Sequence, residues 1–468
     1  VNVQVPTGCQ ETKFFLQHPS ICIKDHQRQN PQLGRVDMRH KTMSIGVLLI
    51  AGSICCAPAW ASDEPVTTQL QQIIDDYLAQ QGQTEKITGI QMQVSLDNGR
   101  QVISVSAGND GLPHPRPMTP DSLFQIGSNT KSFTAALILK LEAEGKLNID
   151  QTVGDWLPEY TAWKSITIRQ LLNMTSHIPD YDSTVTVAEK LLDLHYQFTP
   201  RELIASVNPD DGVQLPNYVP ITGWSYTNTG YFLADLIIEK ASGVPYKEAL
   251  EKMILKPLNL TNTYYYYGET PRFVLERMPA GFFNDPSCLT YQTGCRPPDY
   301  TPPPTSPLAP HIGKDVRAEN MSWAGPAGGI ISNMGDLALW YRALFAGRVM
   351  PQAQLEEMQS LVSTATGLPI PVTNAACPQG FGLGLDQNYS LSQFKGLIWY
   401  YEGETYADRV VFTYWPQYDV VLTMVANSNV HQSTFPLTVL PKTIDALVST
   451  GTVTRASREA PGDCGSSR

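Results

Sequence analysis

The sequence predicts an α+β fold: an antiparallel sheet formed from N- and C-terminal segments, flanked by helices, with a mainly helical subdomain inserted between them. Three observations carry this. A hairpin signal stands early in the chain, and strand-like runs return only past residue 380. Between them, roughly 146 to 325 reads as helical pieces broken by Pro-rich loops. Strands so far apart in sequence share a core only by meeting in one sheet, and a cleft between two such lobes is a natural place for a site.

Before the fold begins, residues 1–37 lie upstream of candidate starts at Met38 and Met43 and read as a disordered extension. Residues 38–61 read as a signal peptide. Arg39 and Lys41 give it a basic start, a short apolar run follows, and Ala59-Trp60-Ala61 closes it as a small-x-small cleavage site. The apolar run is too short to span a bilayer comfortably, so export to the periplasm or medium is expected, with no stable membrane span afterwards. The folded domain is expected over 62–450, with a sheet lobe at about 62–145 and 325–450, a helical lobe at about 146–324, and a flexible tail at 451–468.

In order, "VTTQLQQIIDDYLAQQG" carries Leu70, Ile73, Ile74 and Tyr77 at helical spacing. "GIQMQVSLDNGRQVISVSAG" alternates on either side of Asp97-Asn98-Gly99, a hairpin. A long apolar helix opens after "FQIGSNTK" and ends near Gly145. The Pro-rich loop "RPPDYTPPPTSPLAP" is the longest break in the helical stretch. "GLIWYYEG", "DRVVFTYWP" and "VVLTMVANS" are strands, and "FPLTVLPKTIDALVST" is a closing helix.

Composition excludes several classes of function. The 468 residues carry a net charge of −11, which gives no electrostatic support to a nucleic-acid or anionic-membrane partner. No CxxC or HExxH occurs and the eight histidines are scattered, so no metal or cofactor is expected. Four cysteines remain after cleavage. In an oxidising compartment Cys288 and Cys295 could close a small loop, while Cys377 and Cys464 could pair or stay free.

Ser128 and Lys131 stand three apart at the mouth of the apolar helix. A phosphate loop is excluded, because it needs a glycine directly before the lysine, where Thr130 stands. A plain helix cap and a solvated charge remain the bland alternative. Residues i and i+3 lie about 60° apart around a helix and roughly 4.5 Å along it, so both side chains share a face. A lysine turned into a closed cleft loses hydration, and bringing its pKa from about 10.4 toward 7 takes roughly 4–5 kcal/mol. The neutral amine then accepts the serine proton during attack on a carbonyl. A second Ser-x-x-Lys, Ser392 to Lys395, precedes a strand and reads as a decoy. Tyr226-Thr227-Asn228 opens another amphipathic helix, where a phenol can relay protons and an amide can hold lysine and substrate.

The order Ser-x-x-Lys, Tyr-x-Asn, then a late strand resembles the serine β-lactamase and penicillin-binding-protein superfamily. It is most similar to the class C β-lactamase and D-alanyl-D-alanine carboxypeptidase branch, which also contains esterases and D-aminopeptidases. "MTPDSLFQIGSNTKSFTAALILKLEAEGKLNIDQTVGDWLPEY", "SYTNTGYFLADLIIEKASGVPY" and "PAGGIISNMGDLALW" extend the likeness. It implies a β-lactamase/transpeptidase-like fold, Ser128 as nucleophile, Lys131 as its activating partner, Tyr226 as proton relay and Asn228 as a substrate-orienting amide. The oxyanion hole would be the N–H of Ser128 plus one from the late strand.

Two departures shape the expected substrate. The family's Lys/His-Thr/Ser-Gly motif falls on Tyr401-Glu402-Gly403, with the N–H of Glu404 as second oxyanion donor. A carboxylate-bearing substrate normally meets cationic and hydroxyl groups here, and an acidic Glu402 works against it unless Arg409 compensates. The alternative is that Glu402 points outward and Tyr401 only substitutes for the relay. "MTSHIPDY" departs from the usual His-Thr-Ser-Gly run and is expected to be mainly structural. The expected protein is an exported serine hydrolase acting on peptides, amides or esters, including peptidoglycan-derived ones. A β-lactamase proper and a non-turnover sensor or scaffold are the alternatives.

Overall fold

A computed structural model describes residues 64–213, 223–284, 308–390, 392–430 and 433–455. The expected extension, signal peptide, most of the Pro-rich loop, Cys288, Cys295, Cys464 and most of the tail lie outside the described residues.

Helix α1 (Glu64–Glu85) leads into strands β1 (Gly89–Leu96) and β2 (Gln101–Gly108). Asp97, Asn98 and Gly99 all take positive φ between them, the left-handed backbone that Asn and Gly adopt at least cost. Helices α2 (Thr130–Ala143), α3 (Thr229–Ser242) and α4 (Met334–Phe345) follow. Then come β3 (Leu361–Ser363), β4 (Pro369–Ile370), β5 (Gln379–Phe381), β6 (Asp386–Ser390), β7 (Gly396–Glu404), β8 (Arg409–Trp415) and β9 (Val420–Ala426). Helix α5 (Phe435–Ser449) closes the described chain.

The nine strands form one antiparallel sheet in the order β2-β1-β9-β8-β7-β6-β5-β3-β4. Ile90 lies opposite Ala426 and Ser95 opposite Val421, so the two ends of the chain meet within one sheet, one strand in from its β2 edge, as expected. Both faces of the central strands are covered, which is why β9 is buried along its whole length. Against one face lie α1 and α5, where Leu70, Ile74, Val439 and Ile444 are fully buried. Pro441 stands inside α5, yet the helix continues with Val439, Leu440 and Ile444 held in this core. The other face carries Trp399, Tyr401, Val410 and Phe412. It shares one core with α2, α3, α4 and the helical segments of 153–260, so both expected lobes contribute to a single apolar cluster.

The short strands β3 to β6 were not anticipated. They run two to five residues and include Gly, Pro and polar positions, so neither length nor alternation marks them. Cys377 carries a free thiol that donates to Ser363 Oγ at 3.3 Å. Among the described residues, no helix is long and apolar enough to cross a membrane.

Candidate active site

Ser128 stands in a single turn, Gly127–Asn129, between the short strand Phe124–Gln125 and α2. The turn is locked from three sides. Asn129, fully buried, donates to the carbonyls of Ile126 (3.1 Å) and Val410 (3.3 Å) and accepts from Tyr341 OH at 2.9 Å. Gly127 takes φ +52°, and a Cβ there would lie 2.6 Å from the Glu404 nitrogen. Across the contact, a Cβ on Gly403 would lie 2.0 Å from the Ile126 carbonyl oxygen. Glycine is required on both surfaces because strand β7 passes directly against the serine's turn.

That close approach fixes the direction of the N–H expected from the sequence to be the second oxyanion donor. Thr405 N donates to Asp408 O at 3.0 Å, so Glu404 and Arg409 form the next, non-hydrogen-bonded pair of the β7–β8 ladder. The Glu404 N–H is therefore aimed away from β8, on the side where residues 127–129 lie.

Lys131 is completely buried in the first turn of α2. Its Nζ lies 3.0 Å from Ser128 Oγ, 2.7 Å from Asn228 Oδ1 and 2.8 Å from the Ala327 carbonyl oxygen. Burial pulls its pKa down from 10.5 to about 7, against the opposing pull of the Asp180, Asp182 and Asp386 carboxylates. Two of its three partners are carbonyl oxygens, which only accept. A neutral amine has two N–H bonds and one lone pair, so both N–H groups go to Asn228 and Ala327 and the lone pair is left for the Ser128 hydroxyl.

Tyr226 comes from the segment before α3, and its hydroxyl lies 2.6 Å from Ser128 Oγ. Tyr226 is 38% exposed, so its side chain is open to solvent beside the serine. Burial of its hydroxyl end, opposed by the Ser128 hydrogen bond, raises its pKa above that of an ordinary tyrosine, so it is a protonated phenol at neutral pH. Asn228 immediately precedes α3. Its amide orientation is fixed, because Nδ2 donates to Asp182 (2.8 Å) and Asp180 (3.2 Å) while Oδ1 faces Lys131. Thr229 Oγ1 ties the same stretch down, donating to Pro179 O at 2.7 Å and accepting from Tyr181 N at 3.1 Å. Burial, and for Asp182 also repulsion from Asp180, raises both carboxyls above the usual range. Asp182 is exposed at the rim, so solvent screens much of its share.

The structure thus brings Ser128, Lys131, Tyr226 and Asn228 together and sets Gly403 and Glu404 against the serine's turn. Tyr401 is 2% exposed on the same face of β7, beside Tyr226, and its hydroxyl makes no well-formed hydrogen bond among the described residues. Glu402 is the correction. Strand alternation turns it to the opposite face, where Arg409 bonds it and Tyr400 OH donates to it at 2.6 Å. Arg409 also pairs with Glu404 Oε1 at 2.9 Å. The guanidinium is therefore spent on two glutamates and does not compensate the missing cation in the cleft. The decoy reading of Ser392–Lys395 fits the geometry: Ser392 is exposed and Lys395 pairs with Asp445 at 3.1 Å.

Three participants escaped the sequence reading. Asp180 and Asp182 lie in and just after "MTSHIPDY", which looked merely structural; two carboxylates flanking a tyrosine beside a motif departure were the available signal. The Ala327 carbonyl is a backbone group in "PAGG" and has no side-chain signature.

Comparison with known proteins identifies the family and the fold. A profile of the Beta-lactamase family matches residues 73–438. A penicillin-binding protein of Bacillus subtilis (strain 168) is 33% identical over 198 residues, 42% of this chain and 43% of that protein. The chain thus spans under half the length of the curated relatives it matches. D-amino acid amidase from Ochrobactrum anthropi SV3, solved with D-phenylalanine, superposes with a TM-score of 0.64 at 24% identity, over 82% of this chain and 99% of that one. A D-stereospecific amidohydrolase from Streptomyces sp. gives 0.59 at 26% identity, over 79% and 97%. The serine, lysine, tyrosine and asparagine converge on an antiparallel sheet of β-lactamase/transpeptidase-like fold, and the chain belongs to the Beta-lactamase family.

Proposed function

We propose that this protein is an exported serine hydrolase that works through an acyl-enzyme on Ser128, with amides and peptides bearing a free amine as its preferred substrates and small esters as secondary ones. The observation that carries the reading is the coordination of Lys131, whose two carbonyl partners leave its lone pair to Ser128. On attack, the Ser128 proton passes to Lys131 Nζ and Oγ bonds the substrate carbonyl carbon. The resulting oxyanion is held by the N–H groups of Ser128 and Glu404. As the tetrahedral adduct collapses, the C–N or C–O bond breaks and the leaving group takes the Tyr226 phenol proton, which the Lys131 ammonium restores. Water then repeats the sequence on the acyl-enzyme, returning Ser128 to its hydroxyl form.

The substrate preference rests on charge. Tyr401 occupies the place of the cation that would meet a carboxylate, and Arg409 is committed elsewhere. Asp180 and Asp182 flank Asn228, so the cleft favours an ammonium over a carboxylate. The likeness to an amidohydrolase supports amide chemistry. Export follows the leader read at 38–61.

The test is a panel of nitrocefin, a D-Ala-D-Ala peptide, a D-aminoacyl amide and a butyrate ester. The amide is expected to show the highest kcat/KM, at least about tenfold above nitrocefin, the equivalent of roughly 1.4 kcal/mol. Faster turnover of nitrocefin would assign a β-lactamase instead, and no turnover with any of the four would sink the hydrolase reading.

A further inference from the structure

Behind the serine's turn lies a second polar cluster that the proposed chemistry does not use. Gln125, fully buried, precedes Ser128 by three residues. Its backbone N–H donates to Asp408 Oδ2 at 3.0 Å, and its side-chain NH₂ donates to the Arg317 carbonyl at 3.3 Å. Glu319, 1% exposed, accepts from Trp323 Nε1 on Oε2 at 3.0 Å and adjoins the Gln125 side chain. Two acceptors in this cluster, Glu319 Oε1 and Gln125 Oε1, are buried without a hydrogen-bond partner among the described residues. Neither oxygen can donate while Glu319 is ionised.

The cluster joins the segments that build the site. Gln125 belongs to the strand entering the Ser128 turn. Asp408 and Tyr406 belong to the turn that follows Glu404. Glu319 and Trp323 lead into the stretch that supplies the Ala327 carbonyl to Lys131. Trp323 stacks on Tyr406 at 4.7 Å, and Tyr181 OH donates to the Trp323 carbonyl at 2.5 Å.

From this arrangement we infer that Glu319 is a positioning residue that carries a proton in the active enzyme and donates it from Oε1 to Gln125 Oε1, clamping the serine's turn, the oxyanion turn and the Ala327 segment to one another. The proton gives both orphaned oxygens a partner at once. Burial, with repulsion from Asp408 adding to it and the Trp323 bond, the Tyr406 backbone N–H and the Gln125 side chain opposing it, pushes the Glu319 carboxyl up to about 8. Asp408 is itself raised by burial and offers no positive charge. From Glu319's own segment, Arg317 turns to Asp315 at 3.6 Å and to the Met278 carbonyl. From the other side, Arg409 is engaged with Glu402 and Glu404 on the far face of β7.

Loss of the proton above about pH 8 leaves a carboxylate facing an amide oxygen and Asp408, and the clamp opens. The inference rests on the hydrolase reading for its activity arm, while its stability arm is independent of any substrate. Between the unfolded carboxyl's pKa and that of the folded state, the folded protein holds a proton that the unfolded chain has released. Stability from this group therefore falls as pH rises from about 4.5 to about 8 and is flat above.

The experiment compares the full chain with Glu319→Gln and Glu319→Ala, measuring Tm from pH 4.5 to 9.5 and kcat/KM on the best amide or ester. Glu319→Gln supplies a permanent N–H donor. It is expected to keep kcat/KM within about twofold at pH 7, to lose the alkaline decline of the parent, and to gain Tm relative to the parent progressively up to pH 8. Glu319→Ala is expected to lose at least about tenfold in kcat with KM little changed. A Glu319→Gln protein that keeps the parent's alkaline limb, shows a pH-independent Tm difference, or fails to fold would overturn the inference. If no substrate is turned over, the Tm comparison still decides whether Glu319 holds the proton.

Discussion

At the residue scale, the account turns on one amine. Lys131 is buried with three acceptors around it, and a permanently charged ammonium could satisfy all three. Burial tips the balance, lowering its pKa to about 7, so the reactive neutral form is substantially populated at neutral pH. With the neutral amine as the proposed base, kcat/KM should rise with pH through about 7 and level off above it, until the Glu319 limb intervenes. Lys131→Arg, whose guanidinium never gives up its proton, should cost about 10²–10⁴-fold in kcat/KM at every pH, read from steady-state rates. A variant that kept the parent's rate and its acid limb would show that some other group accepts the serine proton. The lysine was legible because its spacing from Ser128 is local and helical. Its carbonyl partner was not, since a backbone oxygen carries no residue identity. Glu402 was misassigned because a motif aligned by position gives the residue but not its partners. Only the ladder shows that Arg409 of β8 lies on the same sheet face as Glu402 and takes the charge.

Among the elements, the contact between β7 and the serine's turn is the one on which the proposed oxyanion hole depends. The approach is so close that a methyl group at Gly403 meets the Ile126 carbonyl at 2.0 Å, a distance no Cβ tolerates. Gly403→Ala must push strand and turn apart. The expected cost is about 1–3 kcal/mol of stability, read by denaturant unfolding, and about 10²–10³-fold in kcat as the Glu404 N–H moves from the oxyanion. Full activity in that variant would show that the second donor comes from elsewhere. Elements with strong local signals were readable: the β1–β2 hairpin through its left-handed turn, α2 through its apolar run, and β7 to β9 through β-branched and aromatic density. Strands β3 to β6 were not, because short polar segments at a sheet edge are held by pairing with neighbours rather than by their own pattern.

For the whole molecule, the early separation of strand signals was the informative feature. It required β1 and β9 to meet, and they pair along their length with Ile90 opposite Ala426. The two-lobe reading described composition better than packing, since one apolar cluster runs from the helical stretch onto the sheet's inner face. That shared core brings Ser128, Tyr226 and Glu404, which are far apart in sequence, to one point. The most direct measurement of the central claim is peptide mass spectrometry after brief incubation with a slow ester or a fluorescent phosphonate. The account predicts a single stoichiometric adduct on the peptide containing Ser128, absent in Ser128→Ala together with all turnover. An adduct on another residue, or turnover that survives in Ser128→Ala, would contradict it.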